Sequence, residues 1–152
     1  MGRKVFVGVI GASFCSKEVY RVAFDVGKEL AEKNAILVCG GLGGVMEAAA
    51  KGAKQNSGMT IGILPTDDKK DANPYIDYPI PTGLGQGRNL LVVKSSDVVI
   101  SLPGKYGTLS EIAFCLKLRI PLVNLSNWDL SSDIVKAKTP QEAVHIALKI
   151  AK

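Results

Sequence analysis

The stretch DVVISLPGKYGTLSE, residues 97–111, joins a strand to a helix through a turn that contains proline and glycine. Its first part is a continuous apolar run, which predicts a buried strand over residues 98–102. The turn leads into a helix predicted over residues 109–118. A strand that is apolar on both faces and runs into a helix is typical of a parallel sheet with helices packed on both sides.

The same alternation of strands and helices continues along the whole chain. Apolar runs predict further strands over residues 5–10, 35–38, 60–64, 78–81 and 122–125, and helical spacing predicts helices over 17–33, 45–55 and 88–96. Two prolines disfavour a central position for the strand at 78–81. A capping box, Thr139-Pro140-Gln141-Glu142, opens a last helix. We therefore predict a single domain, residues 1–152, with a Rossmann-like three-layer α/β sandwich and a mainly parallel sheet.

The amino-acid composition limits the kinds of partner and site that are expected for this chain. The 152 residues are 47% hydrophobic and carry a net charge of +5, but the basic residues are dispersed without an aromatic ladder, so a nucleic-acid partner is not expected. No segment approaches the roughly 20 apolar residues of a membrane span. Three scattered cysteines and one histidine predict reduced thiols in a cytoplasmic protein and no metal site.

Four unusual loops follow the predicted strands, at residues 11–13, 40–44, 83–88 and 103–108. Three of them are rich in glycine and run into a helix, where exposed backbone N–H groups can receive an anion such as phosphate. The carboxyl ends of parallel strands lie at one edge of the sheet, so these loops are expected to meet. Glycine could also serve only to make tight turns, but four such loops at one edge favour a ligand site.

Common nucleotide-binding and nucleophile motifs do not match. The first turn reads Gly11-Ala12-Ser13-Phe14 rather than Gly-x-Gly-x-x-Gly, and none of the loops ends in Gly-Lys-Ser/Thr. The sequence also contains no Gly-x-Ser-x-Gly elbow.

Two segments resemble the LONELY GUY (LOG) family, once called lysine decarboxylase-like. Residues 40–46, GGLGGVM, are similar to its GGGxxGLM loop, and residues 103–111, PGKYGTLSE, resemble its PGGxGTxxE motif. Arg88 matches the arginine of the family's Arg-Lys pair. The resemblance, which covers essentially the whole chain, implies a phosphate- or nucleotide-binding site formed by Gly11, Ala12, Ser13, Gly40, Gly41, Gly43, Gly44, Met46, Gly104, Lys105, Tyr106, Gly107 and Thr108.

The resemblance also implies a catalytic pair, Arg88 and Glu111. In the hydrolases of the family the matching residues cleave the N-glycosidic bond of nucleoside 5′-monophosphates, and a carboxylate can stabilise the oxocarbenium-like sugar. Arg88 would orient the phosphate or Glu111 through its fork of donors. The alternative is a structural ion pair between these two residues at a helix end. Thr108 can likewise be an anion ligand, a helix N-cap, or both.

Several positions depart from the family pattern. Lys105 replaces the second glycine of PGG, Asn89 replaces the lysine after the arginine, Cys39 replaces the first glycine of GGG, and Glu47 stands where glycine is usual. The short chain looks most like the uncharacterised and molybdenum-cofactor-carrier branch. We therefore expect a phosphorylated small ligand, with hydrolysis of a nucleoside monophosphate and non-catalytic carriage of a molybdenum cofactor as open alternatives. No cofactor is required for the hydrolysis.

The predicted helix at 109–118 carries more apolar side chains than one sheet face needs. Leu109, Ile112, Ala113 and Leu116 form one stripe, and Phe114, Cys115 and Leu118 form a second. Neighbouring helices could cover the second stripe. The alternative is a twofold interface, which predicts a homodimer or a tetramer built by further pairing.

Overall fold

The computed structural model describes residues 2–152 and contains one seven-stranded sheet whose neighbouring strands are all parallel. The strand order is β4-β3-β2-β1-β5-β6-β7. The strands are β1 (Phe6–Ile10), β2 (Ile36–Cys39), β3 (Met59–Leu64), β4 (Tyr78–Pro81), β5 (Val98–Ser101), β6 (Leu122–Asn124) and β7 (Val135–Lys136). The predicted α/β fold with a parallel sheet is confirmed.

Helices cover both faces of this sheet and make the three layers. They are α1 (Lys17–Glu32), α2 (Val45–Gln55), α3 (Arg88–Lys94), α4 (Tyr106–Leu118) and α5 (Pro140–Ile150). On β5, Val98 and Ile100 belong to the core cluster that includes α1, α2 and α5, whereas Val99 belongs to the cluster that includes α3 and α4. Each face of a strand thus contacts a helix layer, which explains why the strands read as uninterrupted apolar runs.

The predicted boundaries either coincide with the observed ones or differ by one or two residues, except at the start of α4. The strand at 78–81 is present as β4 and lies at the edge of the sheet, where its two prolines remove no hydrogen bond that a further strand would need. Strand β7 was not predicted, because Val135 and Lys136 are exposed and form only a two-residue pairing with β6.

The start of α4 is a larger correction. The helix begins at Tyr106, three residues before the predicted start, and Lys105 takes the N-cap position. The amide of Leu109 donates to the carbonyl of Lys105 at 2.9 Å and closes the first turn. Thr108 is therefore inside the first turn, and the alternative that it serves as the N-cap is wrong.

Helix α5 has the predicted N-cap, Thr139, but the second hydrogen bond of the capping box reaches a different amide. The Glu142 amide donates to Thr139 Oγ1 at 3.1 Å. The Glu142 carboxylate accepts from the amide of Lys138 at 2.9 Å, one residue before the cap, so the box closes one position earlier than predicted. Within residues 2–152, none of the helices has both the length and the apolar character needed to span a bilayer.

Candidate functional site

A cleft of about 370 Å³ opens at the carboxyl edge of the sheet. It lies where the loops after the adjacent strands β1 and β5 lead to opposite faces, which is the usual ligand position in open parallel sheets. The Ala12 amide donates to the Pro103 carbonyl at 3.0 Å, and the Val45 amide donates to the Ala12 carbonyl at 2.9 Å. These two bonds hold the loops after β1, β2 and β5 together around the cleft.

The cleft brings together many of the residues that the sequence singled out. Its lining includes the predicted Gly11, Ala12, Ser13, Met46, Arg88, Lys105, Gly107, Thr108 and Glu111. It also includes residues that were not predicted as ligand contacts, namely Phe14, Leu42, Pro65, Gln86 and Asn89. The remaining predicted residues, Gly40, Gly41, Gly43, Gly44, Gly104 and Tyr106, are not part of the lining.

Two of these glycines let neighbouring groups approach closely next to residues of the cleft lining. Gly44 has a φ of +61°, and a Cβ there would overlap the Ala12 carbonyl oxygen. A Cβ at Gly104 would overlap Thr108 Oγ1 at the start of α4. Both positions thus shape the loops that carry the lining residues, without lining the cleft themselves.

Arg88 is the first residue of α3, and its side chain is buried with 8% of its surface exposed. One of its terminal nitrogens, Nη1, donates to Asn89 Oδ1. Its Nε is buried and has no hydrogen-bond partner among residues 2–152. Burial lowers the pKa of Arg88, although an arginine stays charged at neutral pH. A Cβ at Gly40 would come within 2.7 Å of Nη2, so glycine there makes room for the guanidinium.

Glu111 is buried in α4 with 7% of its surface exposed and also lines the cleft. Burial raises its pKa to about 8, and the nearby Arg88 charge opposes this only in part. Across the described chain, no ion pair within 4.0 Å joins Glu111 to Arg88. The alternative interpretation, a structural ion pair between Arg88 and Glu111, is therefore wrong for the residues described.

The first turn of α4 supplies backbone donors. The amides of Tyr106, Gly107 and Thr108 make no hydrogen bond to any described residue, as expected for the first residues of a helix. The N-cap residue, Lys105, has no side-chain acceptor that could occupy these amides. Tyr106 is 87% exposed and does not line the cleft, whereas Gly107 and Thr108 do. These amides, with the helix dipole, can receive an anion.

Asn89 connects the starts of α3 and α4. While its Oδ1 accepts from Arg88, its Nδ2 donates to Ser110 Oγ at 3.1 Å, and Ser110 Oγ donates to the Gly107 carbonyl at 2.6 Å. In the sequence, Asn89 stood out only as a departure from the family pattern. The available signal was an amide next to the apolar run at residues 90–93, because a side-chain amide needs partners when it is buried, as Asn89 is.

Cys39, where the family pattern has glycine, lies behind the cleft and is fully buried. Its thiol is close to the Met46 carbonyl, at 3.9 Å, and burial raises its pKa to about 11, so it stays protonated at neutral pH. Among residues 2–152 no cluster of three or more His, Cys, Asp or Glu side chains could hold a metal ion.

The fold and the cleft define a ligand-binding LOG-like protein of the Rossmann type. The chain belongs to the SLOG cluster4 family, whose model matches residues 4–152. It is 46% identical to an uncharacterised protein of Archaeoglobus fulgidus over 93% of both chains. It is 32% identical over 67% of its length to a probable cytokinin riboside 5′-monophosphate phosphoribohydrolase of Oryza sativa subsp. japonica, and the match spans 47% of that protein.

Solved structures resemble the chain over nearly its full length. The molybdenum cofactor binding protein of Rippkaea orientalis is 35% identical, with a TM-score of 0.92, and the match covers 97% of this chain and 98% of that one. The molybdenum cofactor carrier protein of Chlamydomonas reinhardtii is 30% identical, with a TM-score of 0.87 and the same coverage of 97% and 98%. DNA processing protein A of Helicobacter pylori, at 21% identity and a TM-score of 0.74, covers 97% of this chain and 82% of that one and shares the fold.

Proposed function

We propose that this protein binds a phosphorylated small molecule in the cleft, either a nucleoside 5′-monophosphate or a related cofactor. The observation that carries this proposal is the buried guanidinium of Arg88, a cleft-lining residue whose Nε has no partner in residues 2–152. A buried guanidinium with an unsatisfied donor is costly, and a phosphate in the cleft would compensate its charge through the donors that it can reach. The free amides of Gly107 and Thr108 add donors for the same anion.

The charges of the cleft favour an anion. Arg88 and Lys105 contribute positive charge, and Glu111 is mostly protonated at pH 7 because its pKa is about 8. A neutral Glu111 does not repel phosphate and can itself donate a hydrogen bond. Binding is therefore the part of the proposal that the electrostatics support most directly.

Hydrolysis of the bound nucleoside monophosphate is the first candidate activity. It is supported by the likeness to the rice phosphoribohydrolase and by Arg88 and Glu111 lying on one cleft. Stabilising an oxocarbenium-like sugar requires the ionised form of Glu111. Because burial favours the protonated form, base release through this route should increase as pH rises through about 8.

Carriage of a molybdenum cofactor is the second candidate. It is supported by the likeness over nearly the whole chain to two proteins that bind or carry that cofactor. The Arg88 guanidinium and the amides at the start of α4 suit the phosphate of a pterin-type cofactor as well as that of a nucleotide. On this proposal Arg88, Gly107 and Thr108 hold the phosphate and no bond is broken.

Thermal denaturation with candidate ligands tests the binding proposal. AMP, other nucleoside monophosphates and inorganic phosphate are added separately, and the midpoint is followed as ligand concentration rises. A ligand at 100 times its dissociation constant should stabilise the fold by about 2.7 kcal/mol. The absence of any shift with phosphorylated compounds at millimolar concentration would overturn the proposal.

Incubation with a panel of nucleoside monophosphates separates the two candidates. Hydrolysis predicts free base, which Glu111→Gln abolishes while nucleotide binding persists. Carriage predicts that no base is released and that a molybdenum cofactor added to the purified protein remains bound through gel filtration. Release of base at the same rate by Glu111→Gln would remove Glu111 from the mechanism.

A further inference from the structure

The lining of the cleft combines polar and apolar residues that come largely from different segments. The starts of α3 and α4 supply a polar side that includes Arg88, Lys105, Thr108 and Glu111. The segments after β1, β2 and β3 supply the large apolar lining residues, namely Phe14, Leu42, Met46 and Pro65. An arrangement of this kind suits a ligand with one charged end and one apolar end.

Phe14 is the most exposed of these apolar residues. Its side chain is 94% exposed, while Met46 is buried at 5% exposure. The loop that carries Phe14 is held on both sides, because the Ala12 amide donates to Pro103 and Ser16 Oγ caps α1 by accepting from the Val19 amide at 3.2 Å. An uncovered aromatic side chain thus lines the cleft on a loop that is hydrogen-bonded at both ends.

We propose that Phe14 is the platform on which a planar heteroaromatic ring of the ligand stacks. The proposal rests on phosphate binding by the polar side, and it defines the ligand as a phosphate ester that carries a flat ring. Aromatic faces favour other flat π systems, and such stacking tolerates different bases. Nucleoside monophosphates and phosphorylated pterins share this chemistry, whereas sugar phosphates lack it.

Calorimetric titration with matched ligands tests this assignment. AMP and ribose 5-phosphate share the phosphate and the sugar and differ in the ring, and a phosphorylated pterin provides a second ring. The intact protein should bind a ring-bearing ligand about tenfold more tightly than ribose 5-phosphate. Phe14→Ala should remove most of that preference while ribose 5-phosphate binds within about twofold of its original affinity, and Phe14→Trp should retain the preference.

Tyr78→Ala is the matched control, because Tyr78 is an exposed aromatic residue on the edge strand β4 and does not line the cleft. It should leave all affinities unchanged. Equal weakening of ring-bearing ligands and ribose 5-phosphate by Phe14→Ala, or no weakening, would overturn the role of Phe14 and leave phosphate binding intact. A change of oligomeric mass in Phe14→Ala without a change in ligand preference would also overturn it. If no phosphorylated compound binds the intact protein, both proposals fail.

Discussion

At the scale of single residues, Arg88 should decide whether the cleft binds an anion. Its guanidinium is buried, its Nε has no partner within residues 2–152, and Gly40 makes room for Nη2. Charge-assisted hydrogen bonds contribute about 1.5–3 kcal/mol each. We therefore expect Arg88→Ala to weaken AMP binding about 10-fold or more, as measured by calorimetric titration.

Two further variants control for the loss of charge and for folding. Arg88→Lys keeps the charge but loses the planar fork of donors, so it should bind more weakly than the intact protein and more tightly than Arg88→Ala. Arg21→Ala removes the same charge from the exposed surface of α1 and should bind normally. Normal AMP affinity in a folded Arg88→Ala protein would contradict the assignment.

Glu111 should make the stability of the protein depend on pH. Burial raises its pKa from 4.5 to about 8, so the folded state binds more protons than the unfolded state between these values. The contribution of this group is consequently complete below about pH 4.5 and is lost as the pH rises through about 8. Urea unfolding of the intact protein should show a lower free energy of unfolding at pH 8 than at pH 5.

Glu111→Gln isolates this contribution because glutamine has nearly the same shape and does not titrate in this range. The pH dependence between 5 and 8 should be smaller in Glu111→Gln than in the intact protein. Identical pH dependence in the two proteins would mean that Glu111 does not carry the expected proton.

At the scale of elements, α1 and α2 approach so closely that two glycines in their interface cannot accept side chains. A Cβ at Gly27 would overlap the Ala49 carbonyl oxygen, and a Cβ at Gly52 would overlap the Phe24 carbonyl oxygen. Gly52→Ala improves helix propensity by up to about 1 kcal/mol, but it forces the two backbones apart. Overpacking costs about 1–3 kcal/mol, so we expect a lower urea midpoint.

Gly87→Ala is a suitable comparison for the Gly52 variant. At Gly87 a Cβ would find only the Leu84 Cβ at 3.6 Å, which is an ordinary contact. The urea midpoint of this variant should remain close to that of the intact protein. A Gly52→Ala protein as stable as the Gly87→Ala protein would show that α1 and α2 can separate without cost.

At the scale of the whole molecule, the outer surface of α4 carries apolar side chains that are relevant to the oligomeric state. Cys115 is buried in the core, so it does not belong to the second apolar stripe, but Phe114 is half-buried and Leu118 is 43% exposed. The half-buried Leu90 and Leu91 of α3 lie on the same side of the sheet. We propose that this surface pairs with a second copy of the chain and predict a homodimer, with further pairing giving a tetramer.

Light scattering at micromolar concentration measures this assembly directly, and a monomer mass would contradict it. Leu118→Asp should lower the mass while circular dichroism stays unchanged, because this side chain is already partly exposed. Phe114→Asp should do the same if its ring lies in the interface, and should unfold the protein if its intramolecular contacts dominate. Arg21→Asp, on the opposite face of the sheet, should leave the mass unchanged.

Local patterns in the sequence were sufficient to predict the fold class and the loops that meet at the cleft, whereas Arg88 and Glu111 were predicted from the family resemblance. Continuous apolar runs identified strands with helices on both faces, two prolines indicated the edge position of β4, and Thr139 marked the start of α5. The glycine-containing turns placed Gly107, Thr108 and their neighbours at one edge of the sheet. These features depend on backbone conformation and on periodicity, which a few consecutive residues determine.

The tertiary structure determined those features of the cleft that depend on contacts between distant segments of the chain. Arg88 and Glu111 are both buried beside one cleft because α3 and α4 pack together. They form no ion pair in the described chain, and Nη1 of Arg88 instead donates a hydrogen bond to Asn89 Oδ1. Phe14 remains exposed because none of the elements in residues 2–152 covers its loop. Burial, the pKa of Glu111 and the unsatisfied Nε arise from these long-range contacts, and no pattern within a short segment contains them.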